Sequence, residues 1–270
     1  MAVITLASIT GAPGVTATAV GLAVSWPREV LLVDADREPA QAVAAGYLQG
    51  VELGGRGLGS LARAHRDRRP MAEELPLHWV DVDAAGDHPR HFLPGFTHPG
   101  APGLFGSVWP DLATALTGLG SVGTDVIVDA GRVGRDGLPA SLVQHSDLLL
   151  VCVRSNLRAL AALRINLGQI QAQVEAVGAS GEFGLLVVGA GRPYGVREIE
   201  TQFGIPVLAH VAWEPRQAEV FSDGAPPPRS LGSSTLVRSL RSSASALTER
   251  IVRRDQVVAG ERSVDDWSSR

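Results

Sequence analysis

Val3-Ile4-Thr5-Leu6-Ala7-Ser8-Ile9-Thr10-Gly11-Ala12-Pro13-Gly14-Val15-Thr16-Ala17-Thr18 stands at the start of the chain and decides how the rest is read. Its first half is an uncharged apolar run with the character of a buried strand. Its second half is a glycine-proline turn that leads into small, helix-tolerant residues. A strand that feeds such a turn at a helix N-terminus makes a cradle for phosphate, because the free N–H groups and the helix dipole both favour negative charge. Gly11, Ala12, Pro13, Gly14, Val15, Thr16 and Ala17 are therefore the candidate cofactor-binding residues. Loops of this kind usually add a lysine ammonium on the phosphates. This chain contains no lysine at all: the 24 residues counted as Lys+Arg are all arginine. A coding bias towards arginine would explain a lysine-free surface. It does not explain the site, because a planar guanidinium is no isostere of an ammonium.

Working outward from the loop, apolar runs recur at Val30 to Val33, Val126 to Val128, Leu148 to Val153, Leu185 to Val188 and Val207 to Val211. Unbroken runs of this length suit parallel strands buried on both faces. Between them lie helical patterns, clearest from Leu157 to Val177, where Leu160, Leu163, Leu167, Ile170 and Val174 recur at three- or four-residue spacing. The alternation predicts an α/β fold, a doubly wound, mainly parallel sheet flanked by helices, with its ligand at the strand carboxyl ends. We read residues 1–254 as one domain. After Gly232, Leu236, Leu240, Ala244, Leu247 and Ile251 predict a last amphipathic helix that closes the core, and 255–270 is expected to be a polar, disordered tail. The glycine- and proline-rich stretch from Gly86 to Pro110 is expected to be a surface loop, with a short strand at His91 to Leu93.

Three carboxylates fall where a nucleotide-bound metal needs them. Asp34 and Asp36 follow the second strand, Asp129 follows the third, and Thr16 offers a hydroxyl in the first turn after the loop. One hydroxyl and a neighbouring strand-end carboxylate are what Mg²⁺ requires beside a phosphate. Thr16, Asp34 and Asp129 are the candidate metal ligands. The competing reading is that strand-end aspartates merely cap turns.

Composition limits the rest. A net charge of −4 over 270 residues argues against nucleic-acid binding through bulk charge, although Arg56, Arg63, Arg66, Arg68 and Arg69 form a local patch. The single cysteine, Cys152, sits in an apolar run and allows no internal disulfide, which fits a cytoplasmic setting. The first 27 residues carry no charge, yet they lack a basic segment and are broken by Gly11, Pro13 and Gly14, so neither a targeting peptide nor a membrane span is expected. Gly118-Leu119-Gly120-Ser121-Val122-Gly123 spells G-x-G-x-x-G but precedes a strand instead of following one. Asp87, His88, His91 and His98 lack metal-ligand spacing and read as exposed. No G-x-S-x-G nucleophile motif occurs.

The stretch from Leu6 to Ala17 resembles, without a gap, the deviant Walker A motif K-G-G-x-G-K-[ST]-[ST] of the ParA/MinD ATPases. Val33-Asp34-Ala35-Asp36 is similar to their D-x-D switch, and Val126 to Gly131 to their Walker B strand. Phe203 to Leu208, with Gly224-Ala225-Pro226, looks like their closing G-x-P-V-L … G-x-P segment. Within the superfamily, Gly11-Ala12-Pro13-Gly14-Val15-Thr16 looks most like the TadZ/CpaE group. The resemblance implies a P-loop fold, ATP and Mg²⁺ as cofactors, Asp36 and Asp129 as catalytic residues, and a possible homodimer. It also implies protein partners in an envelope or secretion assembly. The departures are as informative. Val15 occupies the phosphate lysine, Thr10 the signature lysine, and Gly189-Ala190-Gly191 replaces the adenine-side Asn-Arg, with Arg192 close by. A lost charge-assisted phosphate contact costs about 1.5 to 3 kcal/mol of binding, and such groups contribute about 10²- to 10³-fold to rate.

Three functions remain open at this point. The first is a localisation or assembly factor for a Tad-type pilus or secretion machine, with weak or absent ATP hydrolysis. The second is an active ATPase in which Arg37, Arg132 or Arg135 replaces lysine. The third is a DNA-partition protein.

Overall fold

The computed structural model describes residues 2–9, 14–82 and 87–268, with side chains through Arg254 and at Gln256. Its strands are β1 (Val3–Ser8), β2 (Val30–Asp34), β3 (Val80–Asp81), β4 (Arg90–Leu93), β5 (Asp125–Arg132), β6 (Leu148–Arg154), β7 (Glu182–Val188) and β8 (Val207–Val211). The helices are α1 (Val15–Ser25), α2 (Leu58–Arg66), α3 (Met71–His78), α4 (Trp109–Gly118), α5 (Ala140–His145), α6 (Leu157–Ala176), α7 (Val196–Phe203), α8 (Pro215–Ser222) and α9 (Thr235–Ser268).

The strands form one sheet in the order β3-β4-β2-β5-β1-β6-β7-β8, parallel throughout except for the two-residue edge strand β3. Alternation along each strand divides its side chains between two layers. Ile4 and Leu6, with Val30 and Leu32, enter a layer closed by α1 and α9; Val3 and Ala7, with Leu31 and Val33, enter the opposite layer. That double burial is why the central strands read as continuous apolar runs. α1 lies tight on α9 because Gly21 has no side chain; a Cβ there would sit 2.6 Å from Leu240 Cδ1. β1 is central, with β5 and β2 on one side and β6, β7 and β8 on the other, so the order reverses where β1 leads towards the glycine turn. Ligands of doubly wound sheets bind at this switch point.

At the amino end of the sheet, Asp125 is fully buried and fully engaged. Its carboxylate accepts from the Ala2 N–H at 2.9 Å and from Trp26 Nε1 at 2.8 Å, and it pairs with Arg28 Nη2 at 2.8 Å.

Three expectations change. The stretch from residue 87 to 110 holds the expected short strand as β4, but the rest is not simply a surface loop. It contains a 3₁₀ turn (Pro102–Leu104), and Phe96 and Phe105 are buried against Trp109 in edge-to-face contacts. Aromatic burial of this kind outweighs the helix- and strand-breaking effect of the surrounding glycines and prolines. His91 is part-buried in β4, bonded through Nδ1 to Asp81 at 2.7 Å and stacked on Trp79, whereas His88 and His98 are exposed. α9 runs on to Ser268, where composition predicts an unstructured tail. No proline interrupts the sequence there to stop a helix that the core has already nucleated.

Candidate functional site

The carboxyl edge of β1, β2 and β5 gathers the acids marked out in the sequence. Asp34 is the last residue of β2 and stands directly opposite Asp129 in the parallel register. Asp129 lies inside β5, not beyond its end, because β5 continues to Arg132 beside a register shift in β1. Both are buried, at 8% and 1% exposure. The backbone past β2 turns across them: the Asp36 N–H donates to Asp34 Oδ1 at 3.3 Å, and the Glu38 N–H to Asp36 Oδ1 at 2.9 Å. The Gly131 N–H donates to Asp129 Oδ1 at 2.9 Å.

Two glycines make this crowding possible. Gly131 has a positive φ of 62°, and a Cβ on it would stand 2.1 Å from Asp36 Cγ; one on Gly95 would stand 2.6 Å from the Asp34 carboxyl. Gly95 belongs to no motif and Gly131 only closes the Walker B-like run, and the space they leave is visible only when the strands are side by side.

Thr16, in the first turn of α1, donates its hydroxyl to Asp129. Gly14 caps that helix in the left-handed region at φ 90°, ψ 40°, and its carbonyl accepts the Thr18 N–H at 2.8 Å. Ala17 is half-buried in the same turn, packed against the core. Val15 does not reach towards the site: it is 6% exposed and lies in the core layer with Ala19 and Leu22. Thr10, Gly11, Ala12 and Pro13 lie outside the described residues.

Burial sets the electrostatics. It pushes the Asp34 carboxyl up to about 7, helped by the facing Asp129 charge. It raises Asp129 to about 6 against the Thr16 and Gly131 donors, which favour its charged form. Burial also raises Asp36. Among the described residues, neither Asp34 nor Asp129 has an ion-pair partner. The nearby arginines serve other groups. Arg37 Nη2 donates to the Gly137 carbonyl, and Arg132 stands 3.7 Å from Glu38; both weakly favour the charged form of Asp36. For Arg135 the contact seen is through its backbone carbonyl, which accepts from Gln169.

A hydroxyl and one or two carboxylates form a suitable partial shell for Mg²⁺, which keeps several waters and takes substrate phosphate oxygens. Thr16, Asp34 and Asp129 would hold such an ion, whose charge would offset the carboxylates and polarise phosphate oxygens. The same observations fit a nucleotide only in part. The helix N-terminus behind Gly14 is present, but Val15 beside it is apolar and packed into the core. No group of three or more His, Cys, Asp or Glu side chains forms a metal cage among the described residues.

On the far side of the same edge, Arg154 at the end of β6 stacks on Trp213 just past β8, its Cζ 3.5 Å from the ring centroid. Arg192 Nη1 donates to the Trp213 carbonyl at 3.1 Å, and its Nη2 lies 3.8 Å from Glu214. Sequence reading marks Arg192 alone; the three partners are distant in the chain and carry no shared motif. Cys152 is buried, and burial pushes its thiol up. Arg56, Arg63, Arg66, Arg68 and Arg69 are exposed, with Arg69 paired to Glu74 at 3.0 Å. No helix among the described residues is long and apolar enough to cross a membrane.

The sequence matches no protein-family profile and no curated protein. Solved structures do match. A ParA family ATPase from Chlorobium tepidum superposes with a TM-score of 0.69 at 16% identity, over 90% of this chain and 98% of that one. Apo McdA from Cyanothece gives 0.68 at 18% identity, over 92% and 99%. MinD from Pyrococcus horikoshii, solved with Mg-ADP, gives 0.64 at 16% identity, over 91% and 95%. The chain therefore has the fold of the ParA/MinD ATPases across nearly its whole length.

Proposed function

We infer that this protein is a ParA/MinD-type P-loop protein whose nucleotide site is degenerate. It binds Mg-ATP weakly or not at all, hydrolyses it poorly or not at all, and works as a localisation or assembly factor for an envelope machine. The TadZ/CpaE-like wording of Gly11 to Thr16 favours a machine of the Tad pilus or secretion type.

One observation carries the reading. The metal carboxylates are kept, while the position of the phosphate lysine holds a valine packed into the core, in a chain without any lysine. Binding of Mg-ADP by the MinD neighbour supports Thr16, Asp34 and Asp129 as the metal side of the site, with Gly11 to Ala17 as the phosphate side. Asp36 and Asp129 are the residues that would act on a nucleotide if turnover occurred. The reading with arginine in place of lysine is less favoured, because Arg37 and Arg132 already serve Gly137 and Glu38. Nothing in the geometry favours the DNA-partition reading over a solvated arginine surface.

Isothermal titration with Mg-ATP tests this. The parent should bind at millimolar concentration or not at all. Micromolar binding by the parent, lost in Asp129→Ala, would remove the degenerate-site reading.

A further inference from the structure

A second feature lies on the outer face of α6 and α7, the helices that follow β6 and β7. Leu157, Leu160, Ala161 and Arg164 of α6 face Ile199, Gln202 and Phe203 of α7 across an open groove of about 310 Å³, which Tyr194 helps to floor. That volume lies at the lower end of the range for ligand clefts, about 300 to 1,000 Å³. The apolar surface, however, continues past the groove. Leu157 is 70% exposed and Ile165 is 81% exposed, and Ala161 lies between them at four-residue spacing on the same helix face. This stripe runs about 12 Å along α6. Large aliphatic side chains left this open in a row are unusual on a surface that binds nothing. A partner helix that presents anchors at i, i+3 or i+4, and i+7 would match the stripe and fill the groove at once.

The charge around the groove is mainly basic. Arg158 adjoins Leu157, Arg164 stands over the Phe203 ring with its Cζ 5.9 Å from the centroid, and Arg197 lies in the first turn of α7. None of the three has an ion-pair partner among the described residues. The one acid lining the groove, Glu198, is already committed: its Oε2 accepts the Gly195 N–H at 3.3 Å as the cap of α7. An apolar floor rimmed by uncommitted guanidinium groups complements carboxylates flanking an apolar helix face.

We propose that the α6–α7 groove docks an acidic amphipathic helix of a partner protein, with its apolar anchors between Leu157, Ala161 and Phe203 and its carboxylates on Arg158, Arg164 and Arg197. The assignment is independent of whether the carboxyl edge binds nucleotide.

A phage-displayed library of helical peptides, selected on the immobilised full-length chain, tests it. Enriched sequences should carry apolar residues at i, i+3 or i+4, and i+7 flanked by Asp or Glu. Synthetic versions should weaken at least about tenfold when those acids become lysine, with the gap narrowing as salt rises. Ala161→Arg fills the groove from an exposed position and should abolish binding at an unchanged melting temperature. Arg164→Glu should shift preference towards the basic peptides. Enrichment without the apolar-acidic pattern, binding that survives Ala161→Arg, or an unchanged preference in Arg164→Glu would each overturn the proposal. So would self-association, seen by sedimentation, that Ala161→Arg disperses, since the groove would then belong to a second copy of this chain.

Discussion

Strand β5 carries a buried aspartate near each end of its core, and the two are treated in opposite ways. Asp125, at the amino end of the sheet, has an arginine, an indole N–H and a backbone N–H. Asp129, towards the carboxyl end, has a hydroxyl, a backbone N–H and the facing carboxylate of Asp34, but no cation among the described residues. Burying a charge is tolerable only with compensation. The first aspartate gets that compensation from the chain itself, so its job is to hold the fold. The second pair has no such compensation among the described residues.

Removing the satisfied acid should have the largest effect. Asp125→Ala leaves Arg28 without its ion-pair partner and Trp26 Nε1 and the Ala2 N–H without their acceptor, and each buried donor left unpaired costs about 1 to 3 kcal/mol. Urea denaturation should show that loss. A cost near zero would mean that the amino-end network contributes nothing to stability.

The unsatisfied pair should respond in the other direction. Asp34 and Asp129 have folded-state values of about 7 and about 6, above those of the unfolded chain. The unfolded chain therefore ionises first as pH rises. Their contribution is full below about pH 4 and is lost as pH passes through 6 and 7, so the metal-free protein should lose stability over that window. Asp34→Asn removes one of the two like charges and keeps one oxygen for its backbone donors, the Asp36 and Gly95 N–H groups. At about pH 8 it should be more stable than the parent by about 1 to 2 kcal/mol, and at about pH 4 the two should differ by less than about 0.5 kcal/mol. Mg²⁺ should raise the melting temperature of the parent more at the higher pH, and less in the variant. Parallel stability profiles for parent and variant would deny that the acids are uncompensated.

The smallest effect belongs to the arginine at the rim. Arg132 and Glu38 are half-exposed or more and 3.7 Å apart, so Arg132→Ala should cost no more than about 0.5 kcal/mol in thermal melts. A larger loss would show that Arg132 compensates the buried acids after all.

Much of this was legible before the structure. Runs such as Val30 to Val33 and the leucine spacing of α6 encode burial directly, so the sheet, its parallel character and the position of Asp34 follow from local pattern. The glycine turn and the three aspartates also stand close enough to strand ends to be read as one site. What the sequence hides is compensation at a distance. Asp125 merely precedes the apolar run Val126 to Val128, and nothing local says that Arg28 and Trp26 converge on it. Gly95 and Gly131 look like ordinary turn residues until two carboxylates need the space of their missing side chains. The Arg154–Trp213 stack and the α6–α7 groove join segments that share no periodicity. The buried Phe96 and Phe105 defeat a composition-based loop assignment for the same reason.

The proposal to be tested first is that the carboxyl edge keeps the acids of a nucleotide site without the cation that makes turnover efficient. Steady-state release of phosphate from Mg-ATP, measured side by side for the parent and Asp129→Ala, tests it most directly. The account predicts turnover in the parent at least about 100-fold below the usual enzyme range of about 1 to 10³ s⁻¹, or none above that of Asp129→Ala. Hydrolysis in the parent at about 1 s⁻¹ or faster that disappears in Asp129→Ala would contradict it.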